Sequence, residues 1–331
     1  MTSYKIKPFN EEHSEDAARL FAERFGMERE HVSLLPTRFE DFRTVLPLLN
    51  NLVVKSPGVI AVGNDGLVGF LIGRLLPSWR GGRSVWVPEW ANAVAGRERR
   101  EVFQRMYASL AYEWVANGCF THLISTLAHD EDVLDELFWL GFGMVAVDAM
   151  RGLGDVEGPF ADVEIRRAAI RDLEVAESLS HEQERYMATS PILMALVEKS
   201  RGEFHKEILS NPAQATWLAS YKGEVVSGMR IGPSTQDAAY IITDERTASI
   251  TAAFTKEHVR CKGIGATLLQ HSLDWAKSEG YERCAVDFEP ENVLARSFWL
   301  RRFKPVSFSL VRQVDRRIAW AHSRRKDEHF W

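Results

Sequence analysis

Cysteine is scarce in this sequence. Only Cys119, Cys261 and Cys284 occur among 331 residues. An odd set without metal-ligand spacing excludes a disulfide framework and a cysteine-bound metal knuckle, and it points to reduced thiols in a cytoplasmic protein. Long apolar runs are missing as well. No stretch reaches the roughly 18–20 apolar residues that span a bilayer, and the opening Met1-Thr2-Ser3-Tyr4-Lys5-Ile6-Lys7 has no apolar signal core. A soluble chain with no membrane partner is expected. Nor is there a surplus of positive charge: 41 Lys and Arg against 46 Asp and Glu give a net charge of −5. That balance argues against nucleic acid as the main partner. The histidines are scattered without metal-ligand spacing, so no metal is expected. No glycine loop ends in Gly-Lys-Ser/Thr, which disfavours a P-loop phosphotransferase.

What the chain does contain is ordinary globular composition, 45% hydrophobic and 26% charged, in a length suited to two domains. Short β-branched runs alternate with amphipathic helical segments. In the first half, strand character at Tyr4–Lys7 precedes a helix over Glu15–Phe25 and a hairpin at 59–72 whose tip is Gly63-Asn64-Asp65-Gly66. Residues 77–95 are tryptophan-rich and read as irregular. A helix over Glu101–Ala116, a strand over His122–Leu127 and a helix over Asp132–Leu140 complete that half. The second half repeats the order: strand Val163–Arg166, helix Ile170–Glu184, a helical stretch Pro191–Leu209, and a hairpin turning at Lys222-Gly223. A short strand at Tyr240–Ile242, strand Ala248–Thr255, a helix from Gly265, strand Arg283–Phe288, helix Leu294–Arg301 and strand Pro305–Val314 follow. Ile6 and Ile165, Gly66 and Gly223, Trp114 and Trp275, and Phe138 and Phe298 stand about 160 residues apart, a register that implies internal duplication. The turn-forming stretch Gly152–Pro159 marks the boundary. The expected fold is α/β with mixed (α+β) sheets, in two tandem domains at 1–153 and 160–331, each a twisted mixed sheet flanked by helices.

The most informative stretch is Ala248–Thr255 followed by Arg260-Cys261-Lys262-Gly263-Ile264-Gly265-Ala266. A buried strand leads through a glycine turn into a helix whose apolar face carries Ala266, Leu269, Leu273 and Ala276. Glycines let backbone approach an anion, and the first N–H groups of a helix have no intrahelical partner. Arg260 and Lys262 add charged donors. By itself a Gly-x-Gly is also a plain tight turn. Downstream, however, lies Asn292-Val293-Leu294-Ala295-Arg296-Ser297-Phe298-Trp299. Together, Arg260-x-x-Gly263-x-Gly265 and Asn292-x-x-Ala295-x-x-Phe298-Trp299 resemble the GNAT superfamily of acyl-CoA-dependent N-acetyltransferases over residues 163–315. The family more often has Tyr where Trp299 stands, and its Gly-Phe pair appears here as Arg302-Phe303.

The resemblance implies acetyl-CoA as cosubstrate and no metal. It implies that Ala252, Ala253 and Phe254 offer backbone to the pantetheine arm, that Arg260, Cys261, Lys262, Gly263, Ile264, Gly265 and Ala266 hold the diphosphate, and that Asn292 and Trp299 flank the arm. Asn292 also suits a helix N-cap. Asp287 and Glu289 lie on one face of their strand at the mouth of the site. Asp287 is the candidate base acting through water, with an exposed polar face or an ion pair with Arg283 as the plain alternative. Indole is no usable acid, so a proton must come from solvent or another hydroxyl, such as that of Tyr240. In the first copy, Gly96-Arg97-Glu98-Arg99-Arg100 lacks the glycine pair, which implies a degenerate domain. The expected function is N-acetylation of a primary amine on a small molecule or peptide, with a weakly active or inactive acyl-CoA-binding sensor as the alternative. Residues 26–58, 77–95 and 185–212 are expected to wall the acceptor pocket. Trp320, Phe330 and Trp331 in a basic tail suggest packing on a neighbour, as in a homodimer.

Overall fold

The computed structural model describes residues 4–195, 201–234 and 239–321. It divides into two compact units. One runs up to Val147 and regains the chain at Ala239–Ile241 and again from Pro305; the other holds Asp148–Ala238 and Ile242–Lys304. The boundary near 152–159 alone would therefore leave Pro305 onward with the wrong set of contacts. Among the described residues no helix is long and apolar enough to cross a membrane. All three cysteines are free thiols.

In the first unit, β1 (Lys5–Pro8) is followed by α1 (Ser14–His31) and α2 (Phe42–Val53), then β2 (Gly58–Gly63) and β3 (Gly66–Ile72). β2 and β3 form the expected hairpin, closing at Gly63↔Gly66. Next come β4 (Arg74–Trp79), β5 (Gly82–Val87), β6 (Asn92–Val94), α3 (Arg99–Ala116), β7 (Thr121–Leu127), α4 (Glu131–Trp139) and β8 (Gly143–Gly152), the last crossing the division between units. Strands in the order β1-β2-β3-β6 make one sheet. The stretch 77–95 is thus not irregular. Arg80 and Gly81 take left-handed φ values of 48° and 84° and turn β4 back on β5. The period-two signal is absent because Ser84 and Val85 on adjacent positions are both buried. Residues 26–58, unassigned from sequence, extend α1 and form α2, which Asp41 caps by accepting the Arg43 N–H at 3.0 Å. Pro47 inside α2 masks it from a pattern reading.

The second unit contains β9 (Glu164–Arg167), α5 (Leu173–Met187), α6 (Arg201–Ser210), β10 (Ala215–Tyr221), β11 (Glu224–Pro233), β12 (Thr247–Thr255), α7 (Ile264–Ser278), β13 (Arg283–Phe288) and α8 (Val293–Leu300). The final strand, β14 (Lys304–Gln313), belongs from Pro305 to the first unit, where it pairs antiparallel with β7 from Ser307 to Gln313. Part of the helical stretch read over 191–209 lies outside the described residues, and α6 begins at Arg201. Sheet order is β13-β12-β11-β10-β9. The β10–β11 turn places Lys222 at φ 52° and Gly223 at 83°, the twist that a two-residue hairpin requires. The two faces of this sheet are covered by different helices. Gly228 of β11 faces Leu179 of α5, and a Cβ there would sit 3.4 Å from the leucine. Its neighbour Met229 is in register with Trp217, whose ring meets His271 of α7 at 4.3 Å. Tyr240–Ile242 forms a single 3-10 turn rather than a strand.

Candidate functional site

β12 and β13 run parallel only from Thr247↔Arg283 to Ile250↔Val286. Beyond that point β12 continues to Thr255, bonded on its other side to β11 alone. A bulge falls where the strands part: Ile231 pairs with Ile250 and Arg230 with Ala252, so Thr251 is the extra residue. The backbone of β12 past Thr251 thus turns one edge toward an opening. That opening is a cavity of about 500 Å³ lined by residues of β11, β12, α5, α7 and α8.

At its far end the chain turns sharply. Cys261 and Gly263 both adopt left-handed φ, 61° and 86°, and Gly263 is the N-cap of α7. A Cβ on Gly263 would lie 2.5 Å from the Pro159 carbonyl oxygen, so only glycine fits. The first intrahelical acceptor is Gly263 O, which takes the Thr267 N–H at 3.0 Å. The amides from Cys261 to Ala266 have no protein acceptor among the described residues; all of these residues but Lys262 line the cavity, with the positive end of the helix dipole behind them. A Cβ on Gly265 would lie 3.3 Å from the Phe298 ring, so α7 and α8 come close there.

Of the residues singled out from sequence, Ala253, Phe254, Arg260, Cys261, Gly263, Ile264, Gly265, Ala266, Asn292 and Trp299 share the cavity wall. Ala252 and Lys262 stand beside it, outside the lining. Arg260 does not simply extend toward an anion: its Nε donates to Thr255 O at 3.0 Å, and its guanidinium lies 4.2 Å over the Tyr186 ring. Trp299 is buried against Phe298 and Phe303, with ring centroids 4.7 and 5.4 Å away. Asn292 caps α8 by accepting the Ala295 N–H. Asp287 is exposed on β13, one residue past the last parallel pair, and Glu289 follows half-buried; neither belongs to the lining.

Several contributors went unread. Gln183, Tyr186 and Met187 reach the cavity from α5, and Ser227, Gly228 and Met229 from β11. The Tyr186 hydroxyl donates to Asn292 Oδ1 at 3.2 Å. Leu179, Tyr186 and Met187 stand at i, i+7 and i+8, so helical periodicity carried the signal. Tyr240 is elsewhere: it groups with the first unit, where its ring meets Trp90 edge-on at 5.9 Å. The expected pocket walls at 26–58 and 77–95 also belong to the first unit and contribute nothing to the lining. Trp320 stacks on Tyr112 of its own unit at 4.5 Å, while Phe330 and Trp331 lie outside the described residues.

Residues 170–303 match the model of the acetyltransferase (GNAT) family. This segment is a GNAT domain. An 81-residue stretch is 28% identical to the uncharacterized N-acetyltransferase YjgM of Escherichia coli (strain K12), covering 24% of this chain and 45% of that protein. The match therefore spans less than half the length of that relative. Among solved structures, a GCN5-related N-acetyltransferase from Sphaerobacter thermophilus superposes with a TM-score of 0.53 at 15% identity, covering 94% of this chain and 95% of the other. A GCN5-related glucosamine N-acetyltransferase region of a fungal multi-domain GH3 β-N-acetylglucosaminidase gives 0.52 at 14% identity, over 94% and 38%. At these identities the likeness concerns the fold. It extends beyond the GNAT segment to nearly the whole chain.

Proposed function

We propose that the chain is an acetyl-CoA-dependent N-acetyltransferase acting on a primary amine of a small molecule or peptide, with its chemistry in the second unit. One observation carries this reading: the unpaired amides from Cys261 to Ala266 open on a cavity beside two strands that have parted. The donor set fits a diphosphate, and the place where a Cβ would strike Pro159 is where backbone must come close. Acetyl-CoA supplies an activated thioester carbonyl, from which the acetyl group passes to a neutral amine. The protein's own contribution is chiefly positioning. The backbone of Ala252, Ala253 and Phe254 provides the edge along which a pantetheine arm would pair, and a β12 N–H would polarise the carbonyl.

Asp287 takes the acceptor's proton through water, with Glu289 just past the end of β13 behind it; Asp287 stands one residue beyond the last β12–β13 pair. Asp287→Asn is expected to lower kcat/KM about tenfold or more and to flatten the acidic limb of the pH–rate profile. An unchanged profile removes Asp287 from the role. Tyr186 Oη is the phenolic hydroxyl of a cavity wall that also carries Ser227, Thr255 and Ser297, and it supplies the proton that Trp299 has no means to give. Tyr186→Phe is expected to lower kcat by about tenfold with acetyl-CoA affinity within twofold of native; equal loss in both would make it a packing residue.

The first unit offers support for placing the chemistry in the second. At the equivalent loop, Arg24 and Arg99 both pair with Asp130, which caps α4. Arg100 is engaged by Asp132 and Asp135. Arg99 and Arg100 are thus already paired with carboxylates of the protein. Calorimetric titration of the full chain with acetyl-CoA, followed by thiol release in an amine panel, tests the proposal. No binding at millimolar concentrations sinks it. Binding with no turnover of any amine favours the sensor.

A further inference from the structure

Arg230 of β11 is half-buried, and the cause and consequence of that position set the acceptor's chemistry. The cavity lining runs along β11 from Ser227 to Met229 and along β12 from Thr255 back to Ala253. The next register pair in the same direction is Arg230↔Ala252, beside the bulged Thr251. Side chains two apart on a strand share a face, so Arg230 lies on the face of Gly228, which meets α5, the helix that supplies Tyr186 and Met187. Arg230 is therefore the first charged side chain beyond the cavity, at the end where the strands begin to part.

Its hydrogen bonds are one-sided. Nε donates to Thr251 Oγ1 at 2.6 Å and Nη2 to Thr251 O at 3.2 Å, while the guanidinium lies 5.6 Å from the Phe204 ring of α6. These contacts fix the plane of the group and occupy one edge. The opposite edge, formed by Nη1 and the second Nη2 hydrogen, has no acceptor among the described residues, and no carboxylate there pairs with this arginine. Burial disfavours its charge, and among the described residues no anion offsets that cost. A guanidinium with one fork held and the other open matches a bidentate oxyanion.

We infer that Arg230 is the acceptor-recognition residue of this domain and that the acceptor amine carries an anionic oxyacid group, a carboxylate or a phosphate, which docks on its Nη1/Nη2 edge. This rests on the acetyltransferase reading above and narrows its substrate class. A planar fork recognises both anions equally well, so the source of the charge is left to the experiment.

The full chain, saturated with acetyl-CoA, is assayed for thiol release with matched amines. One arm compares common amino acids with their carboxamides, and the other compares O-phosphoethanolamine with ethanolamine. The anionic member of the better arm is expected to be favoured by about tenfold or more in kcat/KM. Arg230→Gln is expected to erase that preference while acetyl-CoA binds with native affinity, which also reports that the variant is folded. Arg230→Lys, which keeps charge and loses the fork, is expected to fall between. Preference for neutral members, a preference that survives Arg230→Gln, or turnover of neither arm by a protein that binds acetyl-CoA overturns the inference. Failure of the native chain to bind acetyl-CoA overturns the acetyltransferase reading itself, and this inference with it.

Discussion

A Gly263→Ala variant is expected to lose at least about a hundredfold in acetyl-CoA affinity, because it disturbs several charge-assisted amide contacts at once, each contributing about 1.5–3 kcal/mol. Two independent causes act together. At φ 86° an L side chain is strained, and the new methyl would lie 2.5 Å from Pro159 O and 3.0 Å from its carbonyl carbon. Both are backbone atoms and cannot rotate aside. The turn must shift, and with it the amides that precede α7. Since Ala161 N donates to Thr267 Oγ1 at 2.9 Å, the overlying segment is tied to the helix and resists. Gly265→Glu provides a second route that leaves the turn intact: its side chain would bring negative charge beside the same amides, with Phe298 at 3.3 Å from its Cβ. Calorimetry on both, with circular dichroism to confirm folding, gives the answer. Folded variants that bind acetyl-CoA as the native chain does would falsify the assignment of this turn.

The second large effect concerns stability. Glu89 in the first unit is 1% exposed, and burial lifts its pKa from 4.5 to about 7 even though its Oε1 accepts the Ile241 N–H at 3.0 Å. A carboxyl whose pKa rises on folding binds its proton more tightly in the native state. Its effect on stability is nil below about pH 4.5, where both states are protonated. Stability then falls as pH rises toward 7, and the loss is complete above it. The upshift corresponds to about 3 kcal/mol at pH 8, as an upper figure. Glu89→Gln keeps the acceptor for Ile241 and removes the charge. It is expected to match the native protein in denaturant unfolding near pH 4.5 and to exceed it by about 1–3 kcal/mol at pH 8. A variant less stable at pH 8 than the native chain would show that the ionised form is held by the fold.

How much of this was legible beforehand follows from which forces are local. The glycine turn and its helix could be read because conformational permission and unpaired amides are properties of adjacent residues. The β2–β3 and β10–β11 hairpins could be read for the same reason, Gly66 and Lys222-Gly223 marking their tips. The cavity's other wall could not. Tyr186 meets Asn292 across 106 positions, and nothing local in either residue announces the other. Tyr240 was misplaced by the same blindness: its neighbours in sequence belong to the second unit, but its ring packs on Trp90. The strands of 77–95 were hidden because burial on adjacent positions erases alternation. Asp287 is a side chain placed by strand register alone; the half-held guanidinium of Arg230 has no sequence signature at all.

β14 pairs with β7, and the contacts from Pro305 onward belong to the first unit. During synthesis on the ribosome, the whole GNAT segment must therefore emerge before the β4-β5-β7 ribbon receives its next strand. Until then β7 presents a bare edge to the cell, which nascent chains elsewhere shield with chaperones. No single proteolytic cut can release either unit as a whole, because each is assembled from separate stretches of the chain.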